Sequence, residues 1–409
     1  MPVPLFNLDL NYIDQKKEEL SMPFRSGRHF LQLPGPTNVP DRILRAMSKP
    51  TIDHRGPEFK DFGAKILEEL KDVFQASEYV FVYPASGSGS WEAGLINTLS
   101  AGDKVLRFDA GYFSQIWGVV ATRLGLDVQV EPWDWRLPVD PEVVAGLLRA
   151  DVNQEIKAVL IVHNETATGV VTDIPAIRKA IDETGHPVLL MVDSVSSACA
   201  MEYRHDDWGV DVTICGSQKG FMLPPGLSFC AVSKKALEVH RNVPGPRSYW
   251  DWTDQLTFED TGYFPYTPAT NLLYGLEEAL KMLREEGLEN THARHARLGE
   301  ATRRAVAAWG LENFCNDPSA VSSAATSVLM PEGSDANLVR TICLEKFDMS
   351  LGGGLGKIDG KVFRIGHLGD VNDLMICGTL SGVEMALGIA GVPHKSGGVV
   401  AALEYLARN

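Results

Sequence analysis

The chain has 409 residues, 44% hydrophobic and 22% charged, a composition ordinary for globular proteins that argues against disordered, collagen-like or coiled-coil architectures. Its 38 basic and 53 acidic residues leave a formal net charge of −15, and a surface so negative repels phosphate backbones and anionic lipid. The densest basic stretch, residues 292–304, is spaced like a solvated helix face, so neither nucleic acid nor membrane is expected as a partner.

Residues 1–27 read as an extension. From 79 to 233, short β-rich runs alternate with amphipathic stretches. The runs are 79–83, 104–109, 128–132, 156–163, 187–193, 210–215 and 227–232, with helical patterns such as 140–149 and 174–183 between them. Runs as apolar as Ala158-Val159-Leu160-Ile161-Val162 and Val188-Leu189-Leu190-Met191-Val192 are what strands covered by helices on both faces look like. The fold class is therefore α/β: a three-layer αβα domain around a mostly parallel seven-stranded sheet. A loop-rich segment at 242–270 precedes two helices, over about 269–286 and 290–309, which stop at Gly287 and Gly310. Beyond them the pattern turns α+β, with strands at 325–330 and 362–365 and helices at 335–346 and 370–388. A large domain over 28–288 and a smaller α+β domain over 289–409 follow.

The six cysteines include no C-x-x-C pair, and no His/Cys cluster has zinc spacing. Reduced thiols and no metal are expected. Residues 1–20 are acidic and lack an apolar signal core, and no apolar run approaches the roughly 18 residues of a membrane helix. The expected location is the cytoplasm.

Four segments bear chemistry. Gly216-Ser217-Gln218-Lys219-Gly220 follows the strand at 210–215 and precedes Phe221-Met222-Leu223-Pro224-Pro225, an apolar wall. Desolvation there lowers an amine's pKa and frees it for covalent chemistry with an aldehyde, although such a lysine taken alone reads as a surface loop residue. Asp193 ends the run 187–193, at the edge where α/β sheets bind ligands; alone it reads as a helix cap. Ser86-Gly87-Ser88-Gly89-Ser90 opens a helix, where backbone N–H groups favour an anion. Glu92 stands where the third glycine of a dinucleotide fingerprint would be, which leaves a nucleotide-dependent oxidoreductase only a weak rival. Arg364, flanked by apolar residues on the strand at 362–365, offers a fork that fits a carboxylate, from a substrate or from a structural Asp or Glu.

With these segments in view, the chain resembles the class V aminotransferases of the fold-type I pyridoxal phosphate enzymes, from about Gly27 to the C-terminus. The motifs that carry the resemblance are Leu33-Pro34-Gly35-Pro36-Thr37-Asn38, His163-Asn164-Glu165-Thr166-Ala167-Thr168-Gly169-Val170, Asp193-Ser194-Val195-Ser196-Ser197, Gly216-Ser217-Gln218-Lys219 and Tyr266-Thr267-Pro268. Gly287-Leu288-Glu289-Asn290, Arg294-His295 and residues 360–369 add to it. The resemblance implies roles. Lys219 corresponds to the Schiff-base lysine and Asp193 to the partner of the pyridinium nitrogen. Ser88, Gly89 and Ser90, with Gln218 beside them, align with the phosphate loop, and Phe113 with the ring stacked on the cofactor. Thr166 falls near the cofactor ring and substrate carboxylate, and Arg364 matches the carboxylate clamp. Tyr266 and Thr267 match phosphate contacts given by a second subunit, and His54 and Arg55 match residues entering the neighbouring site. A homodimer or larger homo-oligomer with shared sites is thus implied, acting on a small amino acid and a 2-oxo acid. The implied reaction takes the amino group from L-serine to glyoxylate; alanine, aspartate or ureidoglycine are the alternative donors. A pyridoxal phosphate lyase of the cysteine desulfurase kind needs a mobile nucleophilic cysteine, which residues 317–325 do not offer.

Overall fold

Seven apolar runs fold into one sheet. The computed structural model describes residues 26–259 and 261–409, so residues 1–25 of the expected extension lie outside the described residues. In chain order the strands are β1 Phe30–Gln32, β2 Tyr79–Tyr83, β3 Lys104–Asp109, β4 Asp127–Pro132, β5 Ile156–Val162, β6 Asn164–Glu165, β7 Val170–Val171, β8 Leu189–Asp193, β9 Val212–Gly216, β10 Ser228–Val232, β11 Glu312–Asn313, β12 Ala325–Leu329, β13 Met349–Gly353 and β14 Val362–Gly366. The large sheet runs β2-β10-β9-β8-β5-β3-β4. All neighbours are parallel except β10, which is antiparallel to both β2 and β9.

Successive residues of a strand point to opposite faces, and here the two faces build two cores. Leu189, Met191, Val212 and Ile214 pack with Trp91 and Trp117, from helices Gly87–Thr98 and Tyr112–Arg123. Leu190, Val192, Cys215 and Phe229 pack with Phe59, Leu148, Ile177 and Leu276, from helices Pro57–Phe74, Pro141–Ala150, Ile174–Thr184 and Thr270–Glu286. The continuous apolar runs therefore reflect burial on both sides. Helices Pro141–Ala150 and Ile174–Thr184 start where Asp140 and Asp173 accept a backbone N–H of the first turn.

The second sheet has the order β1-β13-β14-β12-β11 and packs on helices Leu288–Ala308, Ala336–Phe347 and Asp373–Ile389 through Leu298, Val339, Phe363, Ile365 and Leu380. The sequence pattern groups residues 30–32 with the large domain, but β1 pairs parallel with β13, Leu31 opposite Ser350. Three residues carry too little alternation to reveal a partner more than 300 positions away. Residues 33–37 then cross from the second sheet to the end of β9, where Thr37 donates its backbone N–H to the Gln218 carbonyl at 3.1 Å and its hydroxyl to the Lys219 carbonyl at 3.2 Å. Among the described residues, no helix is long and apolar enough to cross a membrane, and no group of three metal-ligating side chains occurs.

Candidate active site

The parallel strands β8 and β9 end side by side, with Asp193 opposite Ile214. Asp193 closes β8, and Lys219 sits three residues past the end of β9, so both reach the same edge of the sheet. Both are buried: Asp193 is 4% exposed and Lys219 8%. Burial lowers the Lys219 amine to about 7, and the Arg364 guanidinium pushes it the same way, against the opposing pull of Asp193 and Glu165. Burial also raises the Asp193 carboxyl to about 6, while bonds from the Val195 amide and Trp91 favour its charged form. The Lys219 Nζ donates to the carbonyl of Pro34. Gly35 permits that approach, because a Cβ there would lie 2.2 Å from Lys219 Cδ, and its φ of +99° suits glycine.

Helix Gly87–Thr98 begins at this edge without a side-chain cap from Ser86; the Gly89 amide turns back to the Ser86 carbonyl at 2.8 Å, and the earlier first-turn N–H groups have no side-chain acceptor from Ser86. Ser88 is exposed at this end and Gly89 is half-buried. Ser90 is different: it is fully buried, and its hydroxyl donates to Ser228 Oγ at 2.8 Å, on the β10 side. Gln218 is half-buried, and its Oε1 is a buried acceptor with no hydrogen-bond partner in the structure.

On the other flank, β6 and β7 form a small hairpin whose turn carries Thr166. Thr166 shares a hydrogen bond with Ser196 Oγ, and its carbonyl accepts from Arg364 Nη1 at 2.9 Å. Arg364 Nε donates to the Gly353 carbonyl at 2.7 Å. Among the described residues no carboxylate lies within ion-pair distance of Arg364, and burial lowers its pKa to about 10. A buried guanidinium held by carbonyls on one side and lacking a resident carboxylate is suited to an anionic ligand. Phe113, half-buried, leads the first turn of helix Tyr112–Arg123, and its amide donates to Glu165. His163, at the head of the motif, packs in a cluster with Tyr203 at 5.6 Å and Trp208 at 5.5 Å, and burial lowers its pKa to about 3.

The structure thus brings Lys219, Asp193, Thr166 and Arg364 to one edge, linked through shared partners and mutual electrostatics. Among the described residues no hydrogen bond or ion pair joins His54, Arg55, Tyr266 or Thr267 to this group. Arg55 lies 5.6 Å over the Phe258 ring and reaches the Pro265 carbonyl at 3.5 Å. Tyr266 stacks on Tyr249 at 4.6 Å and donates to Asp254 at 2.8 Å. Tyr249 in turn packs on Trp250 at 5.2 Å, and Trp250 is the neighbour a Cβ at Gly89 would meet at 3.1 Å, so two aromatic rings separate Tyr266 from the helix start. Two residues that sequence reasoning missed belong to the centre. Trp91 donates its indole N–H to Asp193 at 2.8 Å, and Glu165 accepts three backbone amides. The tryptophan's place one turn into the helix was the only signal for the first; nothing marked the acceptor role of the second.

A family model described as aminotransferase class-V matches residues 29–354. A serine–glyoxylate aminotransferase of Methylorubrum extorquens is 50% identical over 392 residues, 94% of this chain and 98% of that one. An L-aspartate–glyoxylate aminotransferase of Paracoccus denitrificans is 44% identical over 375 residues, 91% and 95% of the two chains. A crystal structure of ureidoglycine–glyoxylate aminotransferase from Bacillus subtilis superposes with a TM-score of 0.87 at 27% identity, covering 94% of this chain and 100% of the other.

Proposed function

The chain belongs to the class V aminotransferase family, and from that premise we propose that it transfers the amino group of L-serine to glyoxylate, forming hydroxypyruvate and glycine, with pyridoxal 5′-phosphate as cofactor. The observation that carries the reading is a buried lysine amine depressed to about 7 beside a buried carboxyl, both at the ends of adjacent parallel strands.

The residues present fit the cofactor. Among the described residues no hydrogen bond holds the Gln218 carboxamide, so its N–H2 can turn toward a phosphate at the helix start carrying Ser88 and Gly89, which has no side-chain cap, though Ser90 Oγ is already engaged with Ser228. Asp193 is the acid for the ring nitrogen, Phe113 the stacking ring and Lys219 the amine for the aldehyde. When bound, the cofactor acts as an electron sink for the bonds at the amino acid's Cα.

The chain's own groups do the rest. With a pKa near 7, about half of the Lys219 amine is free at neutral pH, able to hold an aldehyde or to take the proton from the substrate's Cα. Each Asp193 oxygen already accepts one N–H, which fixes the carboxyl and leaves a second lone pair on each. Arg364 binds the carboxylate common to serine and glyoxylate, with its orientation set by the Thr166 and Gly353 carbonyls. Burial of these groups excludes bulk water from the carbon acid. Tyr266, Thr267, His54 and Arg55 act across the interface of a homodimer, in keeping with the lack, among the described residues, of any bond from them to Lys219, Asp193, Thr166 or Arg364 within one chain.

The test is an assay of the purified chain with serine and glyoxylate, following hydroxypyruvate and glycine, beside a panel of alanine, aspartate and ureidoglycine. Serine turnover is expected to exceed the others. No amino transfer to glyoxylate from any donor would overturn the reading, and a preference for another donor would overturn its serine part.

A further inference from the structure

Glu165 is absorbed by none of these roles. It is buried, and both oxygens face backbone donors: Oε2 accepts from the Phe113 amide at 3.0 Å and the Ser114 amide at 3.2 Å, and Oε1 from the Ala167 amide at 3.1 Å. First-turn N–H groups of a helix lack partners within it and carry the positive end of its dipole. Helix Tyr112–Arg123 starts at Gly111, which has no side chain to cap it, so a carboxylate from another segment takes that place. Gly111 makes room, since a Cβ there would stand 2.2 Å from Glu165 Cγ. The residue after Glu165 is Thr166, whose carbonyl holds Arg364.

We infer that Glu165 is a positioning residue for transamination: one carboxylate fixes the helix turn bearing Phe113 on the cofactor side and the turn bearing Thr166, and with it Arg364, on the substrate side. This rests on the function proposed above. The charged groups that face Glu165 are Asp193 from β8, Lys219 from the turn after β9 and Arg364 from β14. Its negative charge favours the protonated forms of Lys219 and Arg364, whereas burial first, and Asp193 to a lesser degree, raise its own carboxyl to about 7 against the pull of the three amides. Charge and reach can therefore be probed by different substitutions.

The test uses the full chain loaded with pyridoxal phosphate. In the unmodified protein, hydrogen exchange at the Phe113 and Ser114 amides is expected to be slow, like that of a helix interior; fast exchange typical of an uncapped first turn overturns the inference without any variant. Glu165→Gln keeps the volume but removes the charge and one of the two acceptor oxygens, so the three amides can no longer all be held. It is expected to lower the pH midpoint of the visible absorption band by about half a unit and to raise the KM for serine roughly tenfold, with a smaller loss in kcat. Glu165→Asp keeps the charge but cannot span all three amides, so the midpoint stays and kcat falls. A Glu165→Gln enzyme with the midpoint and KM of the unmodified chain overturns the inference. If the unmodified chain shows no band and no amino transfer, the proposed function fails instead, and the amide exchange still decides whether Glu165 caps the helix.

Discussion

The indole N–H of Trp91 meets the carboxyl of Asp193 at 2.8 Å. Trp91 lies one turn into helix Gly87–Thr98, whose start faces the same sheet edge, and its ring stacks on Trp117 at 6.0 Å with 13° between planes. One helix therefore sets both the start proposed to hold the phosphate and the orientation of the acid at the end of β8. Trp91→Phe keeps the packing and removes the donor, while the Val195 amide still holds Oδ1 at 2.8 Å. We expect a folded enzyme with kcat/KM reduced about ten- to a hundredfold, the size of one lost bond to a charged group. An unchanged kcat/KM would show that the bond does not orient the acid.

Arg364 makes its bonds to two backbone carbonyls, 2.7 and 2.9 Å away, in directions a lysine ammonium cannot match together. Arg364→Lys is therefore predicted to raise the KM for serine and for glyoxylate alike, by roughly tenfold or more, because both carry the carboxylate. A rise for one substrate only would place the carboxylate elsewhere.

The amine at position 219 is depressed from 10.5 to about 7, chiefly by burial. At pH 7 about half of such amines are free, against roughly 3 in 10,000 for an unshifted lysine. In the cofactor-free chain, the rate of capture of pyridoxal phosphate, followed by its visible band, should rise through pH 7 and level off well below pH 10. A rate still climbing beyond pH 9 would contradict the burial.

Four buried histidines, His163, His205, His295 and His367, fall from 6.5 to about 3, 4, 3 and 3, in each case first through burial. Their contribution to stability is present above pH 6.5 and is lost as the pH falls toward those folded-state values, because only the unfolded chain protonates them. Glu165 and Asp193 act in the opposite sense, being raised from 4.5 to about 7 and from 3.8 to about 6. Between pH 4.5 and 6 unfolding thus takes up about two more protons than it releases, worth about 3 kcal/mol per pH unit. The urea midpoint of the cofactor-free chain should drop steeply from pH 6 to pH 5; a flat profile would mean the histidines are not buried neutral.

The large sheet was legible because its inner strands are covered on both faces, so their apolar runs stand out from the amphipathic helices between them; the edge strand β4, with no buried residue, shows only the alternation of Val128 and Val130 with polar neighbours. Asp193 stood out as a charged residue ending such a run, whereas Lys219, three residues past the next one, reads alone as a surface loop lysine, and its burial shows only in the fold. The antiparallel direction of β10 was not legible, since an apolar run looks the same read either way. Nor was the pairing of β1 with β13, three residues long and far apart in the chain. Trp91 and Glu165 were hidden because their partners, Asp193 and the amides of Phe113 and Ser114, are brought to them only by the crossover of the sheet.

Borohydride reduction of the chain loaded with pyridoxal phosphate, followed by peptide mass mapping, tests the central claim most directly. The account predicts a single phosphopyridoxyl adduct on the peptide containing Lys219, and neither adduct nor visible band in Lys219→Ala. A principal adduct on another lysine, or a Lys219→Ala spectrum like that of the unmodified enzyme, would contradict it.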